Sequence, residues 1–240
     1  MPFVAKATGV ALAKIAARCM VGKSLRAQGH TLEVIPGYFS VKEPVFPFLK
    51  FPGVDPQLGP EMRSTGEVMG VGKTFGAAFA KAHEAANKRA PQAGMAFLSV
   101  RDADKGRVIV LARELLEHGF TLVATRGTQQ ALLAAGVSCA RINKVAEGRP
   151  HIVDMMKNGE IAFIVNTTEG RQAIADSFSI RREALQHRIA YTTTIPGARA
   201  IVNALVHARP GVNFSVEHND AAVYALKELH KQITPPGVQA

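Results

Sequence analysis

Five short turns in the second half of the chain carry side chains able to hold a phosphate. They are Arg101-Asp102-Ala103-Asp104-Lys105, Thr125-Arg126-Gly127-Thr128, Asn143-Lys144 with Glu147-Gly148-Arg149-Pro150-His151, Asn166-Thr167-Thr168-Glu169-Gly170-Arg171, and Thr192-Thr193-Thr194. Each offers a hydroxyl, an amide or a cation. Lys105 and Lys144 would act as point charges. In the second turn Gly127 permits close approach of backbone to a ligand, with the hydroxyls of Thr125 and Thr128 on either side. A helix beginning at such a turn adds free N–H groups and a partial positive charge. A lone threonine at a helix start is as readily an N-cap, and a lone surface lysine is ordinarily a solvated charge. The recurrence of such turns is what points to an anion cradle.

Other chemistries leave weaker traces. A phosphate-binding Walker loop needs Gly-x-x-x-x-Gly-Lys-Ser/Thr; Gly72-Lys73-Thr74 and Gly22-Lys23-Ser24 both lack the upstream glycine at that spacing. His151 reads as a helix-start or structural histidine, and Asp154 and Asp176 fall within helical segments. Cys19 and Cys139 stand far apart and form no metal-ligand pattern, so no metal site is expected and both read as buried thiols of a reducing cytoplasm. Binders abound and acid/base pairs are scarce, which favours a ligand sensor over a catalyst.

These turns need strands before them and helices after them, and the pattern supplies both. Met95–Val100, Phe120–Ala124, Ser138–Ile142, Ile161–Val165 and Ile189–Tyr191 read as strands. Helices are expected over Lys105–His118, Thr128–Ala135, His151–Asn158, Arg171–Gln186 with a break near Ser177, and Ile195 to His207. Strands alternating with helices imply βαβ units and a parallel sheet covered on both faces. In such a sheet ligands bind outside the carboxyl ends of the strands, where all five turns would lie. Earlier in the chain, residues 3–8 read as a short strand, 10–21 as a helix, Tyr38–Val41 as a strand and Lys73–Lys88 as a helix. Val45–Leu49 is a poorer strand because of Pro47, and Glu217–Lys231 reads as a last helix. Ala90-Pro91-Gln92-Ala93-Gly94 is the expected linker, dividing the chain at 1–90 and 91–240.

The 240 residues are 47% hydrophobic and 20% charged, as in a folded soluble protein. No apolar run reaches membrane-spanning length and the N-terminus lacks the apolar core of a secretory signal, so no membrane is expected and the location reads as cytoplasmic. The net charge of +10 suits an anionic partner. The cations are dispersed and aromatics are 6%, without the interleaving a single-strand binder needs; small anionic metabolites fit better than nucleic acid.

Phe51 to Gly72, FPGVDPQLGPEMRSTGEVMGVG, is dense in glycine and proline, with few apolar residues at helix or strand spacing; it reads as a loop or structured connector. This string closely resembles the segment after the second ATP-grasp unit of the carbamoyl-phosphate synthase large subunit. Residues 2–50 resemble the tail of that unit, and residues from about 91 resemble the family's methylglyoxal-synthase-like regulatory domain. The matching motifs there are Thr125-Arg-Gly-Thr128, Asn143-Lys144-Val145, Glu147-Gly-Arg-Pro-His-Ile152 and Asn166-Thr-Thr168. The resemblance implies an α/β, Rossmann-like domain with a central parallel sheet flanked by helices, preceded by a partial ATP-grasp remnant.

It further implies binding of nucleotide monophosphates, with UMP inhibiting and IMP competing. The phosphate would meet Lys105, Thr125, Thr128 and Lys144; Asn166 and Thr168 would also meet the nucleotide; Ser99, Ile152 and Arg171 would line the site. Ornithine, the family's activator, would meet Glu43, Tyr191 and Thr193, although Thr192 stands where enteric members have an acidic residue. The fragment alone would bind no cofactor, lack the ligands for Mg²⁺ (or Mn²⁺) and ATP, and make no carbamoyl phosphate. Its partners would be the rest of the large subunit and the glutaminase small subunit, with self-association through the regulatory domain. The alternative is a free-standing lyase resembling methylglyoxal synthase, acting on a triose phosphate. That enzyme uses aspartates for acid/base chemistry, one of them after the fourth strand, where this chain has Asn166-Thr167-Thr168.

Overall fold

Hydrophobic residues alternate faces along Gly94–Ser99 (β3), Phe120–Ala124 (β4) and Ile161–Asn166 (β6), and both faces are buried. With Ala140–Arg141 (β5) and Ala190–Thr192 (β7) these strands form one parallel sheet, ordered β5-β4-β3-β6-β7. The computed structural model describes residues 2–51, 54–56, 63–86, 88, 90–91, 93–207, 224–231 and 233.

Lys105–Glu117 (α4) and Ile195–Leu205 (α9) cover one face, where Leu98, Leu122 and Val165 meet Val108, Leu111, Leu115 and Val202. Ile152–Lys157 (α6) and Phe178–Gln186 (α8) cover the other, where Phe97, Val123 and Ile164 meet Ile152, Met156 and Ile180. Adjacent residues Phe97 and Leu98 thus serve opposite cores, as the two-residue strand period requires. Arg126–Ala134 (α5) joins β4 to β5 and buries Leu132. The chain runs outward from β3 through β4 to β5, then returns to place β6 on the far side of β3. The order therefore reverses between β3 and β6, and in open α/β sheets ligands bind at the strands' carboxyl ends at such a reversal.

The first part of the chain adds a two-stranded antiparallel ribbon, Phe39–Val45 (β1) with Gly66–Gly72 (β2), packed on Phe75–Ala85 (α3). Gly70 and Gly72 lie against the α3 backbone, and a Cβ on Gly70 would strike the Ala78 carbonyl. Thr74 caps α3 by accepting from the Ala77 N–H at 3.2 Å. Helix α3 also packs on α9, joining ribbon and sheet.

The expected α/β architecture is present, with three revisions in the first 72 residues. Residues 3–8 are helical, within Pro2–Thr8 (α1), followed by Leu12–Met20 (α2). Ala5, Lys6 and Ala7 are good helix formers, Pro2 suits the first helical position, and a short apolar run does not distinguish helix from strand. The connector is partly regular: its last seven residues are strand β2, whose glycines serve close packing on α3 and had read as loop signals. Strand β1 extends through Pro44 to Val45, after which Phe48–Lys50 forms a 3₁₀ turn. The helix expected over 171–186 is indeed broken at Ser177, into Arg171–Asp176 (α7) and α8. Of the last expected helix, residues 217–223 lie outside the described residues, and Leu226–Lys231 (α10) is helical. Among the described residues no helix is long and apolar enough to cross a membrane.

Candidate functional site

Ser99 closes β3 and Asn166 closes β6, and the two are partners in the parallel register where the strand order reverses. Around them the turns are stitched together by hydroxyls. The Thr125 hydroxyl donates to Ser99 Oγ at 3.2 Å. Thr125 occupies the N-cap of α5 in extended conformation, yet its side chain makes no capping bond. Thr128, only 1% exposed, accepts the Val100 N–H at 3.1 Å. The Thr167 N–H donates to the Ser99 carbonyl at 3.0 Å, and Thr167 Oγ1 accepts the Arg101 N–H at 3.1 Å.

Lys105 starts α4 beside the α5 turn: a Cβ built on Gly127 would sit 3.4 Å from Lys105 Nζ. The ammonium therefore lies across the backbone that opens α5, and glycine leaves it room. Its partner is the exposed Asp102 carboxylate at 2.8 Å, whose pKa this lysine holds below the usual carboxylate range. Lys144 is exposed and heads a short 3₁₀ turn, Val145–Glu147, with its N–H donating to Glu147 Oε2 at 3.0 Å. Thr168 is half-buried, and exposed Arg171 is the first residue of α7 after Gly170, whose φ of +82° is the left-handed region glycine favours.

Ile152 is fully buried at the start of α6, its side chain part of the core beneath the sheet. Its N–H reaches the Asn143 carbonyl at 3.4 Å, and Asn143 bridges His151 in parallel fashion, which ties the third turn to the strand edge. His151 is buried, with Nδ1 at 3.1 Å from Asp154 Oδ2 but out of hydrogen-bond alignment. Among the described residues no group of three or more histidine, cysteine or carboxylate side chains is placed to hold a metal.

The three remaining expected residues sit in different settings. Glu43 belongs to the β1–α3 unit, where Lys88 Nζ donates to it at 2.7 Å and His83 Nδ1 lies 3.1 Å away. Burial pushes its carboxyl pKa up, but the hydrogen bonds from His83 and Lys88 outweigh that and hold it below the ordinary value. Tyr191 lies in β7, its hydroxyl accepting from Asn166 Nδ2 at 3.4 Å. Thr193 is exposed in the turn before α9.

Sequence reasoning passed over Thr167, Arg101 and Asp104 as structural partners. Arg101 Nε donates to the buried Asp104 at 2.8 Å, and Thr167 adds a side-chain bond to the same carboxylate. The Arg101 guanidinium, ahead of the opposing cost of burial, keeps Asp104 ionised below the usual range. The Arg-x-x-Asp spacing could have signalled this pair. Arg181 and Asp55 were also missed. Arg181 Nε and Nη2 bind the two Asp55 carboxylate oxygens at 2.9 and 2.6 Å, across 126 residues of sequence that carry no local signal.

The family model for the MGS-like domain matches residues 107–193. The carbamoyl phosphate synthase large chain of Xanthomonas campestris is 63% identical over 233 residues, covering 97% of this chain and 21% of the relative. Its namesake from Pseudomonas aeruginosa is 60% identical over 205 residues, 85% of this chain and 19% of the relative. That of Ralstonia nicotianae is 55% identical over 234 residues, 97% of this chain and 21% of the relative. The chain thus spans about one fifth of the length of the curated relatives it matches. By sequence it corresponds to a portion, about one fifth, of the carbamoyl phosphate synthase large chain, with an MGS-like domain at residues 107–193.

Proposed function

We propose that the chain acts as the regulatory portion of a carbamoyl phosphate synthase large chain, binding nucleotide monophosphates at the carboxyl edge of the parallel sheet. The observation that carries this reading is the placement of Lys105 Nζ over Gly127, where the α5 turn opens beside the Ser99–Asn166 strand ends. A cation at the positive end of a helix is poorly matched electrostatically; Lys105 is paired there with the exposed Asp102 carboxylate, and a bound phosphate would take over that role while also accepting from the helix's free N–H groups. A bound phosphate takes its charge-assisted bonds from Lys105 and Lys144 and its neutral donors from Thr125 and Thr128. Asn166 and Thr168 bind the nucleotide further along the sheet edge, and Ser99, Ile152 and Arg171 bound the site.

UMP is the inhibitory ligand in this reading and IMP its competitor. In the whole protein, with ATP, Mg²⁺ and the glutaminase small subunit, nucleotide occupancy adjusts ATP-dependent synthesis of carbamoyl phosphate in the cytoplasm. A site for ornithine using Glu43, Tyr191 and Thr193 has the ligand's ammonium share Glu43 with Lys88 and His83, which already bond it. A triose-phosphate lyase is disfavoured, because Asn166-Thr167-Thr168 stand where such an enzyme has an aspartate after the fourth strand.

Thermal melting of the chain with UMP, IMP or ornithine tests the proposal, since a ligand that binds only the folded form raises the melting temperature. UMP and IMP are expected to raise it in a saturable manner. Dihydroxyacetone phosphate turned over with release of phosphate would overturn the reading.

A further inference from the structure

The hydrogen bonds that begin at Asn166 do not stop at the site. Asn166 is 2% exposed, and its amide nitrogen donates to the Tyr191 hydroxyl at 3.4 Å. The same hydroxyl is bonded by the Arg181 guanidinium. Arginine can only donate, so the hydroxyl accepts from Arg181, and it also accepts from Asn166. The Asn166 amide is thus held at its nitrogen by Tyr191. Arg181 is itself 5% exposed and held on both sides. Its Nη1 donates to the Ile174 carbonyl at 2.9 Å, and its Nε and Nη2 form the bidentate pair with Asp55. Asp55 lies in the segment between β1 and β2, outside the parallel sheet.

A bidentate arginine–carboxylate pair has one good geometry, unlike a lysine pair, and transmits orientation as well as charge. Arg181 cannot turn toward Tyr191 differently without giving up either Asp55 or Ile174. Tyr191 in turn fixes one hydrogen of the amide that closes β6.

We infer that Arg181 and Tyr191 are positioning residues for Asn166, anchored by Asp55, so that the segment between β1 and β2 sets the geometry of the sheet-edge site. The binding consequence rests on the nucleotide reading above; the positioning itself does not. Coupling of this kind is reciprocal: occupancy at Asn166 alters the hold on Asp55 by the same factor as Asp55 alters affinity at the site.

The test uses the full chain and two near-isosteric variants, Asp55→Asn and Tyr191→Phe, each checked for native circular dichroism. Without ligand, the side-chain amide resonance of Asn166 in a ¹⁵N-labelled sample is recorded. Asp55→Asn is expected to shift it, although the substituted residue does not touch Asn166. An Asn166 resonance unmoved by Asp55→Asn would overturn the relay whether or not any nucleotide binds. UMP titration then reads the consequence. Each single variant is expected to weaken UMP binding by roughly 3- to 10-fold, the scale of one hydrogen bond, and the double variant no more than the weaker single. Wild-type affinity retained in both singles would refute the positioning role. A wild type that fails to bind UMP would sink the nucleotide reading alone, with the resonance shift still deciding the relay.

Discussion

Ser99 and Asn166 stand opposite one another in register at the ends of β3 and β6, the two strands between which the sheet's order reverses. One serine and one asparagine thus mark the switch in strand order, the place where open α/β sheets as a class bind their ligands. Ser99 is tied to Thr125, and Asn166 to Tyr191. The hydroxyl and amide at this sheet edge are therefore held in place by neighbours, which would lower the ordering cost of any ligand bound there.

Lys144 is exposed and heads a short turn at this edge, so it can meet a phosphate without first giving up a buried partner. Lys144→Ala is expected to weaken UMP binding by about 1–3 kcal/mol, the value of a charge-assisted contact. Unchanged affinity in a calorimetric titration would remove Lys144 from the site.

Thr128 has a structural duty besides any ligand contact, because its hydroxyl accepts the buried Val100 N–H. Thr128→Ala leaves that donor unsatisfied and is expected to cost about 1–3 kcal/mol in urea unfolding. Thr128→Ser keeps the hydroxyl and should recover most of the loss. Equal destabilisation by both substitutions would show that the methyl group, not the bond, matters.

Glu43 links stability to acid. Its carboxyl pKa is lower in the folded chain than the ordinary value, so its contribution is fully present above the ordinary carboxylate pKa of about 4.3. The contribution is lost as pH falls through the folded value. Glu43→Gln should therefore flatten the acid limb of the stability–pH curve while changing little of its shape near neutrality. An acid limb identical in wild type and variant would contradict this assignment.

Gly70 meets the α3 backbone so closely that a methyl group there has no room. Gly70→Ala is expected to destabilise by about 1–3 kcal/mol or more through overpacking against rigid backbone, read by chemical denaturation. Gly66, with open space around its Cβ position, should tolerate alanine far better.

Cys139 is buried, and burial pushes its thiol pKa up to about 11, so little thiolate forms near neutrality. Cys19 is partly exposed, with Gln28 Nε2 bonded to its sulfur at 3.3 Å. Iodoacetamide at pH 8 should label Cys19 well before Cys139 in the native chain, as mass spectrometry would reveal. Equal labelling would mean that the β5 edge opens readily.

The parallel sheet was legible because strands such as Ile161–Val165 are continuous apolar runs set off by a turn glycine, here Gly159, a pattern that buried parallel strands show. The turns beyond those strands could be named from sequence for the same reason. The helix at Pro2–Thr8 was not legible, since seven residues supply too little periodicity to separate helix from strand. Strand β2 was hidden by its own glycines: Gly70 and Gly72 serve contact with α3, a tertiary demand that local composition cannot express. Asp55 and Arg181 were silent for a similar reason, as each is an ordinary charged residue until the fold brings them together. The environment of Glu43 likewise depends on Lys88, 45 residues away.

The central claim is that the sheet edge beside Ser99 and Asn166 binds a nucleotide monophosphate, and calorimetric titration of the chain with UMP tests it most directly. Saturable binding at one site per chain is expected, competed by IMP and weakened by Lys144→Ala. No heat of binding from a chain that retains its native circular dichroism and cooperative unfolding would contradict it.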